Sequence, residues 1–325
     1  MKRIINVPTI RDDNSGYEQI LSIASEITNA PKKHFDFDFS HCSKLEHNGV
    51  VILGALARFV DYQNTRTNRT IANMFNTTTL SSAGVMFRVD TMNSLILQQL
   101  QTNNFLSHFS SSYHSGYPKG DYIGYREHNS NMDDDNIANH LGNEWLSSEK
   151  LSISPKLKPY IVSRIFEIFM NAYGHGTSIQ PIEKLGVYSC GQYDKKEKKL
   201  NLSVLDFGLG IVKNVRNYLE NDSMDSLEAF NWALLRGNST GTDNQGIEMP
   251  RGLGLDLLKE FIRLNKGELR IYSNDVFAVC GEEGMWKVTK CKKPFLGTFV
   301  SIKINCDDDH YCFASEASPS SSSYF

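Results

Sequence analysis

The sequence predicts an α+β protein made of two domains. Three observations predict this fold class: an apolar strand that leads into a helix near the N-terminus, a later helix with polar residues on one face, and a buried strand that ends in a glycine-rich turn. The chain has 325 residues and 40% hydrophobic content, which is enough for two ordinary hydrophobic cores.

The N-terminal domain is predicted to start with a strand and a helix. Residues His34–Ser40 (HFDFDFS) alternate apolar and polar side chains, which is typical of a strand with one buried face. A helical spacing follows through Val50, Val51, Leu53, Leu56 and Phe59. A second apolar and polar pattern from Ile71 to Leu100 completes a small α/β domain, to which we assign residues 1–110.

A helix is predicted from Tyr160 to Met170, because this stretch contains no proline and carries a helical apolar stripe. Glu167 and Asn171 stand four residues apart, so a helix places them on one face. A carboxylate and an amide oxygen in this arrangement can converge on Mg²⁺ and its phosphates. Either residue taken alone could instead be a solvated surface group.

Two glycine-rich segments follow this helix. Residues 202–205 indicate a short buried strand that ends at Asp206, and Gly208 and Gly210 then allow a sharp turn and a close approach to a ligand. The segment Arg251–Leu255 (RGLGL) runs directly into a helical pattern. Its glycines therefore open a helix whose first amides would face an anion such as a phosphate.

Residues 150–305 resemble the GHKL ATPase superfamily. The resemblance lies in the order of four motifs: E-x-x-x-N, D-x-G-x-G, G-x-G-L, and Gly297-Thr298 before a final strand. That family includes histidine kinases, anti-sigma-factor serine kinases and type II topoisomerases. The resemblance implies a Bergerat-type α/β sandwich, which is a mixed sheet covered by helices. It also implies that ATP and Mg²⁺ are the cofactors.

The resemblance further implies individual roles. Glu167 would be the general base that orients water or a hydroxyl nucleophile, and Asn171 would be the Mg²⁺ ligand. Asp206 would accept a hydrogen bond from the adenine amino group and would be supported by Thr298. Gly208 and Gly210 would lie beside the base, and Gly252, Leu253 and Gly254 would surround the phosphates. Residues 240–250 would form the ATP lid.

Two residues of this pattern have competing interpretations. Arg251 either contacts a phosphate or is simply solvated in front of the glycine loop, and the sequence favours neither. His175 matches the Asn-Ala-x-x-His-Gly pattern of the anti-sigma-factor kinases. A histidine at the end of a helix more often caps carbonyl groups than performs chemistry, so capping is favoured.

The segment Asp38–Val50 (DFSHCSKLEHNGV) resembles the phosphorylation loop of the STAS domain, the anti-sigma-factor antagonist module. STAS domains that undergo partner switching typically carry Asp-Ser before Ser-Gly or Thr-Gly. This chain has Glu46 and His47 at those positions. We therefore expect a docking module for a protein partner, and we favour an ordinary loop histidine over a phosphoacceptor at His47.

The remaining features of the sequence limit the classes to which the protein can belong. A net charge of −3 gives no overall bias toward nucleic acid or an anionic membrane, and six scattered cysteines without a C-x-x-C pair do not predict a zinc site. The absence of a bilayer-spanning apolar stretch or signal peptide predicts a cytoplasmic protein. We expect a linker at residues 111–149, a hairpin turn at the lysine-rich residues 195–199 and a disordered tail at 306–325.

Three functions are compatible with these motifs. The first is an ATP-hydrolysing conformational switch in signalling or stress response, and the second is a serine or histidine protein kinase of the anti-sigma-factor-kinase kind. The third is a non-catalytic nucleotide-binding regulator, against which the presence of Glu167 argues. An autokinase is disfavoured, because the nearest acceptor-like segment at His140 lacks the usual acidic neighbour. Homo-oligomers are implied by the resemblance alone.

Overall fold

The chain forms two compact units, Met1–Arg126 and Glu127–Phe325, each with its own sheet. The predicted α+β class is confirmed. The computed structural model describes residues 2–30, 34–75, 84–113, 122–128, 132–176, 185–235 and 253–316.

The first unit contains a three-stranded parallel sheet in the order β1-β2-β3. Its strands are β1 (Lys2–Asn6), β2 (His34–Asp38) and β3 (Val85–Arg88). Its helices are α1 (Asn14–Thr28), α2 (His47–Phe75) and α3 (Ser94–Thr102). Since parallel neighbours need a crossover, α1 connects β1 to β2 and α2 connects β2 to β3.

Local sequence accounts for these elements. Phe35 and Phe37 are buried while the residues between and beside them are only partly covered, as the alternation predicted. Helix α1 begins where the side chain of Asp13 accepts a hydrogen bond from the Gly16 amide at 2.8 Å. The Asn93 side chain caps α3 in the same way, through the Ile96 amide at 3.0 Å.

The larger sheet has five strands in the order β4-β5-β6-β8-β7; β5 to β8 lie in the second unit, and β4 runs across the boundary at Arg126. Its strands are β4 (Tyr122–His128), β5 (Val187–Asp194), β6 (Lys199–Asp206), β7 (Glu268–Cys280) and β8 (Trp286–Asn305). The helices of the second unit are α4 (Asp134–Asn139), which continues into a π-helical turn at His140–Trp145, α5 (Leu157–Gly176), α6 (Ile211–Tyr218), α7 (Ser226–Leu234) and α8 (Leu253–Leu264). The described parts contain no helix of the length and apolarity needed to cross a bilayer.

The sheet of the second unit is antiparallel, so the expected mixed sheet was wrong. The physical reason is the connectivity, because β5 and β6 follow each other through a tight turn, as β7 and β8 do. The first turn is the lysine-rich hairpin turn that the sequence predicted. There the Asp194 side chain accepts hydrogen bonds from the amides of Lys196 and Glu197 at 3.0 and 2.9 Å.

Two helices bring the predicted motif segments onto this sheet. Helix α5 contacts β5, β6 and β8, and it packs beside α8, which contacts β7. The predicted apolar stripe of α5 is buried at Ile161, Ile165 and Phe169. The sheet side of this core includes the cross-strand pairs Leu202 with Ile302 and Val204 with Val300, all of them buried.

The segment 111–149, expected to be a linker, contains regular structure: β4, α4 and the π-helical turn all lie in it. Ile137, Leu141 and Trp145 recur every four residues and are buried, which gives the segment a core-facing stripe. The Trp145 indole donates a hydrogen bond to the Asn201 carbonyl at 2.9 Å, so the turn is tied to β6.

Part of the expected tail, 306–325, is also packed. The Cys306 amide donates a hydrogen bond to the Lys198 carbonyl at 2.7 Å, and the Tyr311 ring lies 5.6 Å from the Phe261 ring. The signal in the sequence is the apolar group Tyr311, Cys312 and Phe313, which precedes the serine-rich stretch. Residues 317–325 lie outside the described residues.

Candidate functional site

The candidate site is built around the end of β6, where Asp206 is 6% exposed. In the antiparallel register Asp206 is opposite Thr298 on β8, and Thr298 is opposite Ser273 on β7. Directly opposite residues of an antiparallel pair point to the same side of the sheet. Three polar side chains therefore form a row across three strands, at the point where β6 ends.

The Asp206 carboxylate is strongly desolvated. Burial raises its pKa to about 7, although hydrogen bonds from the backbone amides of Gly208 and Thr298 act in the opposite direction. The Gly208 contact measures 2.7 Å. No cation among the described residues contacts this carboxylate. Asp206 is thus a buried acceptor that a ligand N–H group can satisfy, and strongly perturbed carboxylates of this kind cluster at functional sites.

Two glycines let the backbone pass closely around Asp206. Gly297, with φ of 97°, lies so near that an added Cβ would be 2.0 Å from the Asp206 carbonyl oxygen. Gly210, with φ of 81°, ends the loop and stands immediately before α6. Residues with side chains rarely adopt these backbone conformations, so the predicted glycines at 210 and 297 have a direct structural reason.

Glu167 and Asn171 both lie on α5, outside its buried stripe, as their spacing predicted. Asn171 is exposed, whereas the Glu167 side chain is 32% exposed and accepts a hydrogen bond from the Arg164 guanidinium, one helical turn earlier. The Arg164 guanidinium also lies 5.1 Å from the centre of the Tyr160 ring. The candidate base is therefore held by an arginine of its own helix, a partner that the sequence analysis missed although its i,i+3 spacing is readable.

The G-x-G-L segment is described only in part. Leu253 and Gly254 form the first turn of α8, so the predicted helix start is where the motif places it. Arg251, Gly252 and the expected lid at 240–250 lie outside the described residues. His175 falls in the last turn of α5.

The structure brings some of the predicted site residues together directly. Asp206 accepts from the Gly208 amide and is opposite Thr298, Gly210 ends the same loop, and α5 and α8 carry the other described site residues onto the same sheet. The described residues contain no cluster of three or more His, Cys, Asp or Glu side chains that could hold a metal ion.

The segment before α2 in the first unit encloses its histidine. His47 is the first residue of α2 and is 1% exposed, with its Nε2 atom 3.8 Å from an Asp12 carboxylate oxygen. The Glu46 carboxylate accepts a hydrogen bond from the Asp12 amide. His47 is therefore placed as an interior side chain of this segment.

No protein-family model and no curated protein matches this chain. The motifs and the geometry around Asp206 are therefore what bears on its function.

Proposed function

We propose that the second unit is a variant of the Bergerat-type domain, with an antiparallel instead of a mixed sheet, and that it binds Mg²⁺-ATP in the GHKL manner. In this proposal the protein is an ATP-hydrolysing conformational switch in signalling or stress response. The observation that carries it is the desolvated Asp206 carboxylate at the end of β6, beside a glycine loop. A STAS-like first unit would supply the surface for a protein partner.

Asp206 gives this site a physical basis for choosing adenine. The exocyclic amino group of adenine is a donor, whereas guanine carries a carbonyl acceptor at the same position. A buried carboxylate accepts from the amino group, and it would face the guanine carbonyl as one unpaired acceptor against another. Sites of this kind reject the wrong partner strongly, because the buried polar group is left without a hydrogen bond.

The two helices on the sheet provide the phosphate side of the proposed site. The first turn of α8, which contains Leu253 and Gly254, would present its backbone amides to a phosphate. Asn171 on the neighbouring helix α5 would ligate Mg²⁺. Mg²⁺, when bound, would neutralise charge on the phosphates.

Glu167 would position the attacking water. In the structure the Glu167 carboxylate is already engaged, because it accepts a hydrogen bond from the Arg164 guanidinium. Turnover then requires the carboxylate to exchange Arg164 for water, whose proton it accepts. This exchange would couple hydrolysis to a local rearrangement of α5, which suits a switch.

A protein kinase is the second candidate. It would share the same pocket, with an acceptor hydroxyl or imidazole in place of water. The two histidines considered as internal acceptors are both enclosed: His47 is buried, and buried His140 is hydrogen-bonded to Glu144 at 3.0 Å. The burial of both supports the switch over autophosphorylation and leaves a partner protein as the acceptor in the kinase alternative.

The test is incubation with γ-labelled ATP and Mg²⁺, in which free phosphate and protein-bound label are counted separately. We expect phosphate release that Glu167→Ala abolishes while ATP affinity is kept, and we expect Asn171→Ala to weaken Mg²⁺-ATP binding itself. Glu260→Ala is the matched control, because Glu260 on α8 has the same i,i+3 arginine pairing with Arg263 and no proposed role.

Each outcome of this test decides between the candidates. Release that depends on Glu167 but not on Glu260 supports the switch. Label that stays on the protein, or that moves to a partner, supports the kinase. Bound ATP with neither release nor transfer identifies the non-catalytic regulator. A protein that binds no ATP at all refutes the proposal.

A further inference from the structure

Helix α6 begins without a side-chain cap of its own. The residue at its N-cap position is Gly210, which has no side chain to accept from the free amides. Two residues of β7 supply the missing acceptors instead. Ser273 Oγ accepts from the Ile211 amide at 2.8 Å, and Asn274 Oδ1 accepts from the Val212 amide at 3.0 Å.

The same two side chains hold the loop before α6. Asn274 Nδ2 donates to the Leu209 carbonyl at 2.8 Å, so one amide group binds both sides of the Gly210 turn. Ser273 Oγ donates to the Gly297 carbonyl at 3.0 Å and lies 3.1 Å from Thr298 Oγ1. The glycine loop is thereby tied to the part of β8 that pairs with Asp206.

The backbone of β7 is shaped for this contact. Asn274 has a left-handed conformation with φ of 56°, and the strand register shifts on both sides of it. Such an irregularity redirects a side chain out of the regular pleat. Gly210 completes the fit, because a Cβ there would lie 2.4 Å from Asn274 Oδ1.

We propose that Ser273 and Asn274 are the positioning residues of the nucleotide base. They fix the loop from Gly208 to Ile211 against Asp206, and through this placement they set both the affinity for ATP and the preference for adenine over guanine. The inference rests on the proposed function, since it names residues that act on the same site. Neither residue belongs to the four sequence motifs.

The experiment separates this role from ordinary stabilisation. Asn274→Gly keeps the left-handed backbone and removes both amide contacts, whereas Asn274→Asp keeps the acceptor for Val212 and loses the donor to Leu209. Lys266→Gly is the matched control: Lys266 is exposed, also left-handed with φ of 54°, and follows the last turn of α8. Isothermal titration with Mg²⁺-ATP and Mg²⁺-GTP gives the dissociation constant and the fraction of binding-competent protein independently.

We expect Asn274→Gly to raise the ATP dissociation constant about tenfold, as the loss of two hydrogen bonds implies, and to lower the ratio of GTP to ATP dissociation constants. The ATP dissociation constant of Asn274→Asp should lie between those of Asn274→Gly and the wild type. Lys266→Gly should have the dissociation constant of the wild type. If Asn274→Gly has fewer competent molecules but an unchanged dissociation constant and ratio, its role is merely structural and the inference fails. A wild-type protein that binds no ATP overturns the proposed function itself.

Discussion

Replacing Asp206 with Asn should stabilise the protein at neutral pH while weakening its discrimination between adenine and guanine. Burial raises the Asp206 pKa from 3.8 to about 7. The native state therefore retains a proton over a pH range in which the unfolded chain has released it. Each pH unit in that range corresponds to about 1.4 kcal/mol, so the full interval corresponds to about 4 kcal/mol of unfolding free energy.

The sign of the effect follows from proton binding. Below pH 3.8 both states of the wild type carry the proton, and burial of this group carries no charge penalty. As the pH rises from 3.8 to about 7, only the native state keeps the proton. Ionisation then stabilises the unfolded chain alone, so the free energy of unfolding of the wild type falls, and above about 7 this fall is complete. Asn does not titrate. The stability of Asp206→Asn relative to wild type should thus rise by about 4 kcal/mol between pH 4 and 7 and then level off.

Urea unfolding at a series of pH values measures this difference. Asp225→Asn is the control with the opposite sign: the hydrogen bond from Lys290 lowers the Asp225 pKa, and Asn can still accept from the Leu227 amide at the start of α7. At neutral pH the wild type should have a higher free energy of unfolding than Asp225→Asn. This difference should shrink as the pH falls through the pKa of Asp225 in the native state. An Asp206→Asn difference that stays constant from pH 4 to 7 would refute the assignment of a desolvated carboxylate.

Three further predictions concern stability and labelling. Gly297→Ala should lower the unfolding free energy by about 3 kcal/mol in urea titrations, because its Cβ would overlap the Asp206 backbone. Trp145→Phe should cost about 2 kcal/mol by the same measurement, since the Asn201 carbonyl loses its buried donor. In the γ-labelled ATP assay, His47→Gln should release as much free phosphate as wild type and carry no less bound label, because His47 is buried; label that is bound by wild type and lost in this variant would contradict this.

The elements that the sequence predicted well are those with a strong local signal. Helix α5 follows from its apolar stripe, β6 from a run of buried apolar residues, and the hairpin turn from the polar stretch after Asp194. The glycines at 210 and 297 were found from motif spacing, and each has a left-handed backbone that explains it. These features depend on neighbours in the chain, so a single sequence contains the information.

The parts that sequence reasoning missed depend on contacts between distant segments. Ser273 and Asn274 have no local feature that marks them; their importance arises from the β7–β8 register and the position of α6. The apolar stripe through Trp145 was readable, but the polar and acidic residues before it suggested a linker. The antiparallel sheet likewise follows from the order in which strands pair, which local patterns do not determine.

The capping of α6 from β7 also determines when this part of the chain can fold. The two capping hydrogen bonds join residues 62 positions apart, so the start of α6 stays uncapped until β7 has joined the sheet. Closing so long a loop costs entropy before the contacts compensate for it, and non-local contacts of this kind slow folding. During synthesis the turn at Gly210 therefore acquires its final shape only after Asn274 has left the ribosome. The proposed base pocket would be among the last parts of the second unit to become competent.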